Sequence, residues 1–211
     1  MSDLQRIIWL ASYPKSGNTW LRVLLANYFM PAGAAPGINE LHRFTTADVR
    51  QDFWDRAAGR PFASASFEEW LALRPKVLRA IALSKQGHHF VKTHSKVGRV
   101  SNIALIPPDV TAAAVYVLRN PFDVAVSYAR HMNVDHDRII EIMMDPRAMT
   151  ATDTRIYEFL GGWDEHVQSW TKAPGLPIHV LRYEDMIDDT DKAIRALFRT
   201  LKTPVDDAAL A

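Results

Sequence analysis

The chain contains no cysteine among its 211 residues, which excludes disulfides and thiolate metal sites and fits a reducing compartment. It also lacks any apolar run near the ~20 residues needed to cross a bilayer. Its first residues, Met1–Arg6, lead into the five-residue apolar run Ile7–Ala11, too short for a signal peptide. A soluble, cytoplasmic protein without a membrane partner is expected. An excess of one charge is missing as well. Lys and Arg total 25 against 24 Asp and Glu, a formal net charge of +1, so no global basic field points to nucleic acid. Any anionic ligand must therefore be held by a local cluster. There is no internal repeat and no low-complexity linker. What remains is ordinary globular composition, 48% hydrophobic and 23% charged, at a length suited to one domain with a substantial core.

The chain is organised around Tyr13-Pro-Lys-Ser-Gly-Asn-Thr-Trp20. Before it, Ile7–Ala11 reads as a buried strand; after it, Leu21, Leu24, Leu25 and Tyr28 recur at helical spacing up to Met30. A tight loop with one Gly and one Lys thus joins a strand to a helix start. Open backbone amides and the helix dipole make such a junction suited to anions. Lys15 adds a full charge, Ser16, Asn18 and Thr19 add donors, and Trp20 adds a flat face for a base or a core anchor. The order of residues is not that of the Walker loop, since Lys15 precedes Gly17 and no upstream Gly is present.

Further along, Pro31–Gly37 reads as a loop and residues 45–59 as helical. Ser66 and Glu69 have capping-box spacing for a helix running to about Ser84, with Pro75 expected to bend or break it. His88–Lys92 is a second strand, followed by Thr93–Lys96, and residues 97–111 are a loop. Ala113–Leu118 is the clearest strand. Arg119 and Asn120 follow it, then a helix opened by Pro121 and carrying Asp123, Val124, Ser127, Tyr128 and His131. Residues 132–152 suggest a short helix in a mobile segment, and Thr154–Lys172 a helix weakened at Gly161–Gly162. Ile178–Arg182 is the fourth strand, followed by Tyr183, and the last helix covers roughly 190–202.

Four short strands separated by helical stretches indicate an α/β fold with a mostly parallel central sheet flanked by helices. Ligands in such sheets bind beyond the carboxyl ends of the strands. Lys15, Lys92, His94, Arg119 and Tyr183 all fall there. His131, Asp135, His136 and Asp137 have metal-ligand types without a matched geometry and read as a polar loop beside a ligand pocket. Phe44, Phe53, Trp54, Phe62 and Trp70 read mainly as core, with some expected on the apolar wall of a small-molecule site.

The octapeptide Tyr13–Trp20 resembles the 5′-phosphosulfate loop of the cytosolic-type sulfotransferases, which use 3′-phosphoadenosine 5′-phosphosulfate (PAPS). Lys92-Thr93-His94 resembles the family's strand end that carries the catalytic base. Arg119-Asn-Pro-Phe-Asp-Val-Ala-Val-Ser127 resembles its 3′-phosphate signature, and Tyr183-Glu-Asp-Met186 its adenine segment. The resemblance covers about residues 7–200. It implies a P-loop-like three-layer fold and a single sulfotransferase domain over 1–211. It implies PAPS as sulfuryl donor and in-line transfer to a hydroxyl or amine of a small acceptor, of apolar or aromatic character. It further implies His94 as general base, Lys15 at the leaving phosphate, and Lys92 at the sulfuryl oxygens. Arg119 and Ser127 are implied at the 3′-phosphate, with Ser127 also restraining Lys15, while Ser16, Gly17, Asn18 and Thr19 line the cradle and Trp20 and Tyr183 meet the adenine. No metal is chemically required, because lysines and backbone amides can neutralise the developing charge. Asp123 and Arg130 are expected on a solvated helix face or as scaffold.

Two positions depart from the family pattern. Asn18 stands where Thr is usual, and a donor is retained. Family members also continue into an Arg-Lys-Gly segment over the 3′-phosphate, whereas Pro204–Ala211 reads as the opening of a further helix, cut short. Two other readings stay open on the residues alone: a P-loop-type nucleotide-dependent kinase, and a nucleotide-binding module without turnover.

Overall fold

The computed structural model describes residue 4 and residues 6–31, 33–34, 36–63, 65–154 and 156–207. Its elements in chain order begin with β1 (Ile7–Ser12), α1 (Asn18–Phe29), a 3₁₀ helix (Ile38–Arg43), β2 (Thr46–Ala47), α2 (Gln51–Ala58) and α3 (Phe67–Ala82). Next come β3 (His89–Thr93), β4 (Arg99–Val100), β5 (Ile103–Ala104), β6 (Thr111–Leu118), α4 (Pro121–Met132) and α5 (His136–Met144). The remainder is β7 (Met149–Ala151), β8 (Tyr157–Phe159), α6 (Trp163–Thr171), β9 (Ile178–Arg182), α7 (Tyr183–Asp188) and α8 (Thr190–Leu201).

The central sheet has the order β2-β3-β1-β6-β9, and every pairing in it is parallel. Its carboxyl ends therefore share one edge. Side chains alternate across β1: Ile7, Trp9 and Ala11 enter one buried cluster with Trp54, Trp70, Leu78, Tyr116 and Trp170. Leu10 enters the opposite cluster with Leu21, Leu25, Val117, Ile194, Leu197 and Phe198. Helices α2, α3 and α6 thus cover one face and α1 and α8 the other, the three-layer α/β arrangement. A third cluster, with Tyr13, Val124, Tyr128, Ile139, Met143 and Leu160, joins α4 and α5 to the loop after β1.

Several expectations change. The sheet has five strands rather than four, because residues 45–50 are not helical: Thr46 and Ala47 pair with Val91 and Lys92. Two residues carry no readable alternation, so this strand depends on its neighbour. Helix α3 starts as expected, with Ser66 Oγ accepting from Glu69 N–H at 3.2 Å. It then runs unbroken through Pro75. The proline's cost, about 3 kcal/mol, is offset by burial of Trp70, Leu71, Val77, Leu78 and Ile81 on both sides of it. The stretch 97–111 holds the β4–β5 hairpin. Residues 132–152 hold α5 and β7. Residues 157–159 form β8, antiparallel to β7, instead of opening a helix. The helix starts only after Gly161, whose φ of +67° breaks the run, and Gly162 precedes its first residue. Arg155, within the stretch expected to be helical, lies outside the described residues. So do Ala32 and Ala35 of the expected loop, and 208–211 of the expected terminal helix.

Candidate functional site

The loop after β1 is built on two left-handed residues, Lys15 (φ +67°) and Gly17 (φ +105°). A Cβ on Gly17 would sit 2.4 Å from the Tyr183 ring, so only glycine admits that ring. Tyr183 in turn lies under the Arg119 guanidinium, 4.4 Å from carbon to ring centroid, and Arg119 Nη1 donates to the Lys15 carbonyl at 3.0 Å. The ends of β1, β6 and β9 are thereby locked together. No side chain caps α1, whereas Ser66, Asn120, Asp135 and Asp189 cap α3, α4, α5 and α8. Among the described residues Lys15 Nζ has no hydrogen-bond or ion-pair partner, and neither has the Arg130 guanidinium. Arg119 Nε is buried without an acceptor.

Two cavities meet at this edge. The larger, about 890 Å³, is bounded by Lys15, Gly17, Thr19, Trp20, Lys92, His94, Arg119 and Tyr183 on its polar side. Its other wall is supplied by Tyr128, Met132, Ile142, Met149 and Glu158. The smaller, about 440 Å³, is lined by Lys15, Arg119, Asp123, Ser127, Arg130 and His131. Lys15, Arg119 and His131 border both. Asp123, Ser127 and Arg130 lie four and three residues apart, on one face of α4. Arg130 and Asp123 are exposed, as expected of a solvated face, yet that face is a cavity wall.

His94 is held on all sides. Its Nδ1 lies 2.7 Å from the Ser12 carbonyl, which only accepts, so Nδ1 carries the proton and Nε2 is left with its lone pair. Its main-chain N–H donates to Glu158 Oε1 at 2.7 Å, and its carbonyl accepts from His166 Nε2 at 3.0 Å. His166 Nδ1 accepts from the Tyr116 hydroxyl at 2.9 Å. Burial, then the nearby Lys92 charge, push the His94 imidazole well below its usual value, and burial pushes His166 down to about 3. Both rings are neutral at pH 7. Behind this strand end, Asp48 and Arg74 form a fully buried pair at 2.9 Å. Asp48 also accepts from Thr93 Oγ1 at 2.8 Å.

Two residues of the loop differ from what their side chains suggested. Ser16 is buried and donates its N–H to the Tyr13 carbonyl. Asn18 Nδ2 donates to the Leu10 carbonyl at 2.8 Å and to Ser12 Oγ at 3.4 Å. Its donor is thus turned into the fold, tying α1 to β1. Lys92 Nζ is 3.1 Å from Glu158 Oε1. Glu158 was missed entirely: a lone Glu in a three-residue strand has no motif around it. Phe53, Trp54, Phe62 and Trp70 are buried away from both cavities, with Phe44 partly buried. Among the described residues no group of His, Asp and Glu could hold a metal ion. No helix there is long and apolar enough to cross a membrane.

Known proteins resemble this chain in sequence and fold. A model of the sulfotransferase domain matches residues 5–210. Sulfotransferase 1A1 of Canis lupus familiaris is 26% identical over 198 residues, covering 90% of this chain and 57% of the relative. A WSCD family member, GA21586, of Drosophila pseudoobscura pseudoobscura is 25% identical, covering 95% of this chain and 52% of its own length. The chain thus spans about half the length of these relatives. A retinol dehydratase solved with androsterone and the inactive cofactor PAP superposes at a TM-score of 0.59 with 18% identity, over 99% of this chain and 63% of that one. Mouse sulfotransferase SULT7A1 with PAP gives 0.57, also at 18% identity, over 98% of this chain and 61% of that one. These likenesses establish the P-loop-like fold.

Proposed function

The chain belongs to the sulfotransferase domain family, and on that premise we propose that it moves a sulfuryl group from PAPS to a hydroxyl or amine of a small acceptor. The observation that carries the reading is a pairing across one cavity. Lys15, uncompensated among the described residues, stands just before an uncapped helix start and lines the same cavity as a neutral imidazole whose Nε2 is open, His94. The unpartnered cations fit a polyanionic nucleotide: among the described residues Lys15, Arg130 and the buried Arg119 Nε have no counter-charge of their own. Structural neighbours solved with PAP and with androsterone or retinol lend support by likeness of fold.

When bound, PAPS supplies the sulfuryl group and a leaving phosphate. Lys15 and the first amides of α1 neutralise charge on that phosphate. Arg119 and Ser127, in the smaller cavity, bind the 3′-phosphate, with Arg119 offering a guanidinium fork. Trp20 offers a flat face to the base, and Tyr183, held under Arg119, lines the cavity beside it. Lys92 steadies the transferring oxygens. His94 Nε2 takes the acceptor proton; it is fully in the base form at neutral pH. The acceptor lies against Met132, Ile142 and Met149, an apolar and adaptable wall.

The test is a transfer assay with labelled PAPS on phenols, alcohols, amines and sugars, using wild type and His94→Ala. The substitution is expected to lower kcat by about 10²–10⁴-fold. Calorimetric affinity for adenosine 3′,5′-bisphosphate should hold. Unchanged turnover in His94→Ala would refute the base assignment. A wild type that binds ATP with Mg²⁺ and ignores the bisphosphate would refute the whole reading.

A further inference from the structure

Among the described residues Glu158 is the one carboxylate in the wall of the larger cavity, and its side chain is 9% exposed. It comes from β8, far along the chain from the strand end it touches. Its Oε1 accepts from the His94 N–H at 2.7 Å, and both oxygens accept from Lys92 Nζ, at 3.1 and 3.3 Å. The mount is firm. Glu158 is paired with Thr150 across the β7–β8 hairpin. On its other side, Lys96 N–H donates to the Phe159 carbonyl at 2.8 Å and Phe159 N–H to Ser95 Oγ at 3.3 Å. The same hairpin gives Met149, Thr150 and Ala151 to the cavity wall. One rigid unit therefore carries acceptor wall and carboxylate together.

We infer that Glu158 is a positioning residue for transfer, which sets the pose of His94 through its main chain and balances the Lys92 charge beside it. The inference rests on the sulfuryl-transfer reading above, with Glu158 acting through these two residues rather than on the reacting atoms. The physical need is plain. Lys92 is 17% exposed, and an ammonium so placed is costly without a partner. An unbalanced ammonium two residues from the base would also make His94 harder to protonate, hence a weaker base. The charged and titratable groups facing this spot are Lys92 on β3, Asp48 after β2, Arg22 on α1, His166 on α6 and Tyr128 on α4. Glu158 bonds to both Lys92 and His94, which Asp48, the other carboxylate here, does not.

The experiment compares wild type, Glu158→Gln and Glu158→Ala. Gln keeps an oxygen for the His94 N–H and loses the charge. Carbethoxylation of His94 by diethyl pyrocarbonate, followed by mass spectrometry across pH, reads its protonation without any need for turnover. In Glu158→Gln the midpoint of that reaction should move to lower pH, and the acid limb of kcat should move with it. The kcat plateau should fall roughly 10-fold, below the 10²–10⁴ span of a whole general base, with KM for PAPS changed less. Glu158→Ala should fall further. In a Lys92→Met background, Glu158→Gln should produce a smaller shift of the midpoint. Lower thermal stability with both the His94 midpoint and the kcat limb unmoved would overturn the inference and leave Glu158 a hairpin support. A shifted midpoint in a protein whose wild type transfers nothing would uphold the coupling to His94 and sink the sulfuryl-transfer reading instead.

Discussion

Replacing Gly17 by alanine tests how the loop after β1 is built. At φ +105° an L-residue is strained by roughly 1–2 kcal/mol. The new Cβ would also meet Tyr183 Cδ2 at 2.4 Å and Cε2 at 2.9 Å, distances that cannot stand. The ring cannot simply retreat, because it is packed under Arg119. Forced repacking of this kind costs about 1–3 kcal/mol. Together the effects predict roughly 2–5 kcal/mol of destabilisation. For a chain of this size that lowers Tm by roughly 4–20 °C. Thermal unfolding followed by circular dichroism measures it. Calorimetry with adenosine 3′,5′-bisphosphate should show at least about a 10-fold loss, since each 1.4 kcal/mol is tenfold. The double variant Gly17→Ala/Tyr183→Ala, compared with Tyr183→Ala alone, should retain only the backbone part of the cost. A Gly17→Ala protein with wild-type Tm would refute the argument. So would a double variant in which the alanine costs as much as it does with the ring present.

Two further outcomes follow from buried groups. His94 and His166 are neutral when folded, with values below the ordinary 6.5, so the unfolded chain binds protons that the folded one refuses. Stability should therefore be full above about pH 6.5 and fall as pH drops towards the folded values, by up to about 1.4 kcal/mol per pH unit for each ring. Urea unfolding at pH 7.5 and 5 checks this, and equal midpoints would contradict it. Arg74→Met leaves Asp48 buried without its cation, and should cost about 3–5 kcal/mol in the same unfolding assay. Asp48→Leu combined with Arg74→Met should recover much of that loss. If the double variant is as unstable as Arg74→Met alone, the uncompensated charge is not the cause.

Most of the candidate site was legible because its parts are local. Pro14, Lys15 and Gly17 lie between a short apolar strand and an amphipathic helix, and Lys92, His94 and Arg119 immediately follow or close strands; parallel pairing then brings all of them to one edge. Strand identity for β1, β6 and β9, the cap of α3 and the Pro121 start of α4 were readable from runs and spacings that act within a few residues. What depended on tertiary structure involved partners far apart in the chain. Thr46 and Ala47 are a strand only because Val91 and Lys92 lie beside them. Asn18 turns inward because the Leu10 carbonyl needs a donor there, so its type was informative and its direction was not. The proton on His94 is placed by a carbonyl 82 residues away in sequence, and Glu158 reaches His94 across 64. Sequence alone determined which chemistry was available and at which strand ends, since propensity and periodicity are short-range. Only the folded chain decided which carboxylate meets which cation and which nitrogen is left open, because hydrogen bonds are set by distance in space and are blind to separation along the backbone.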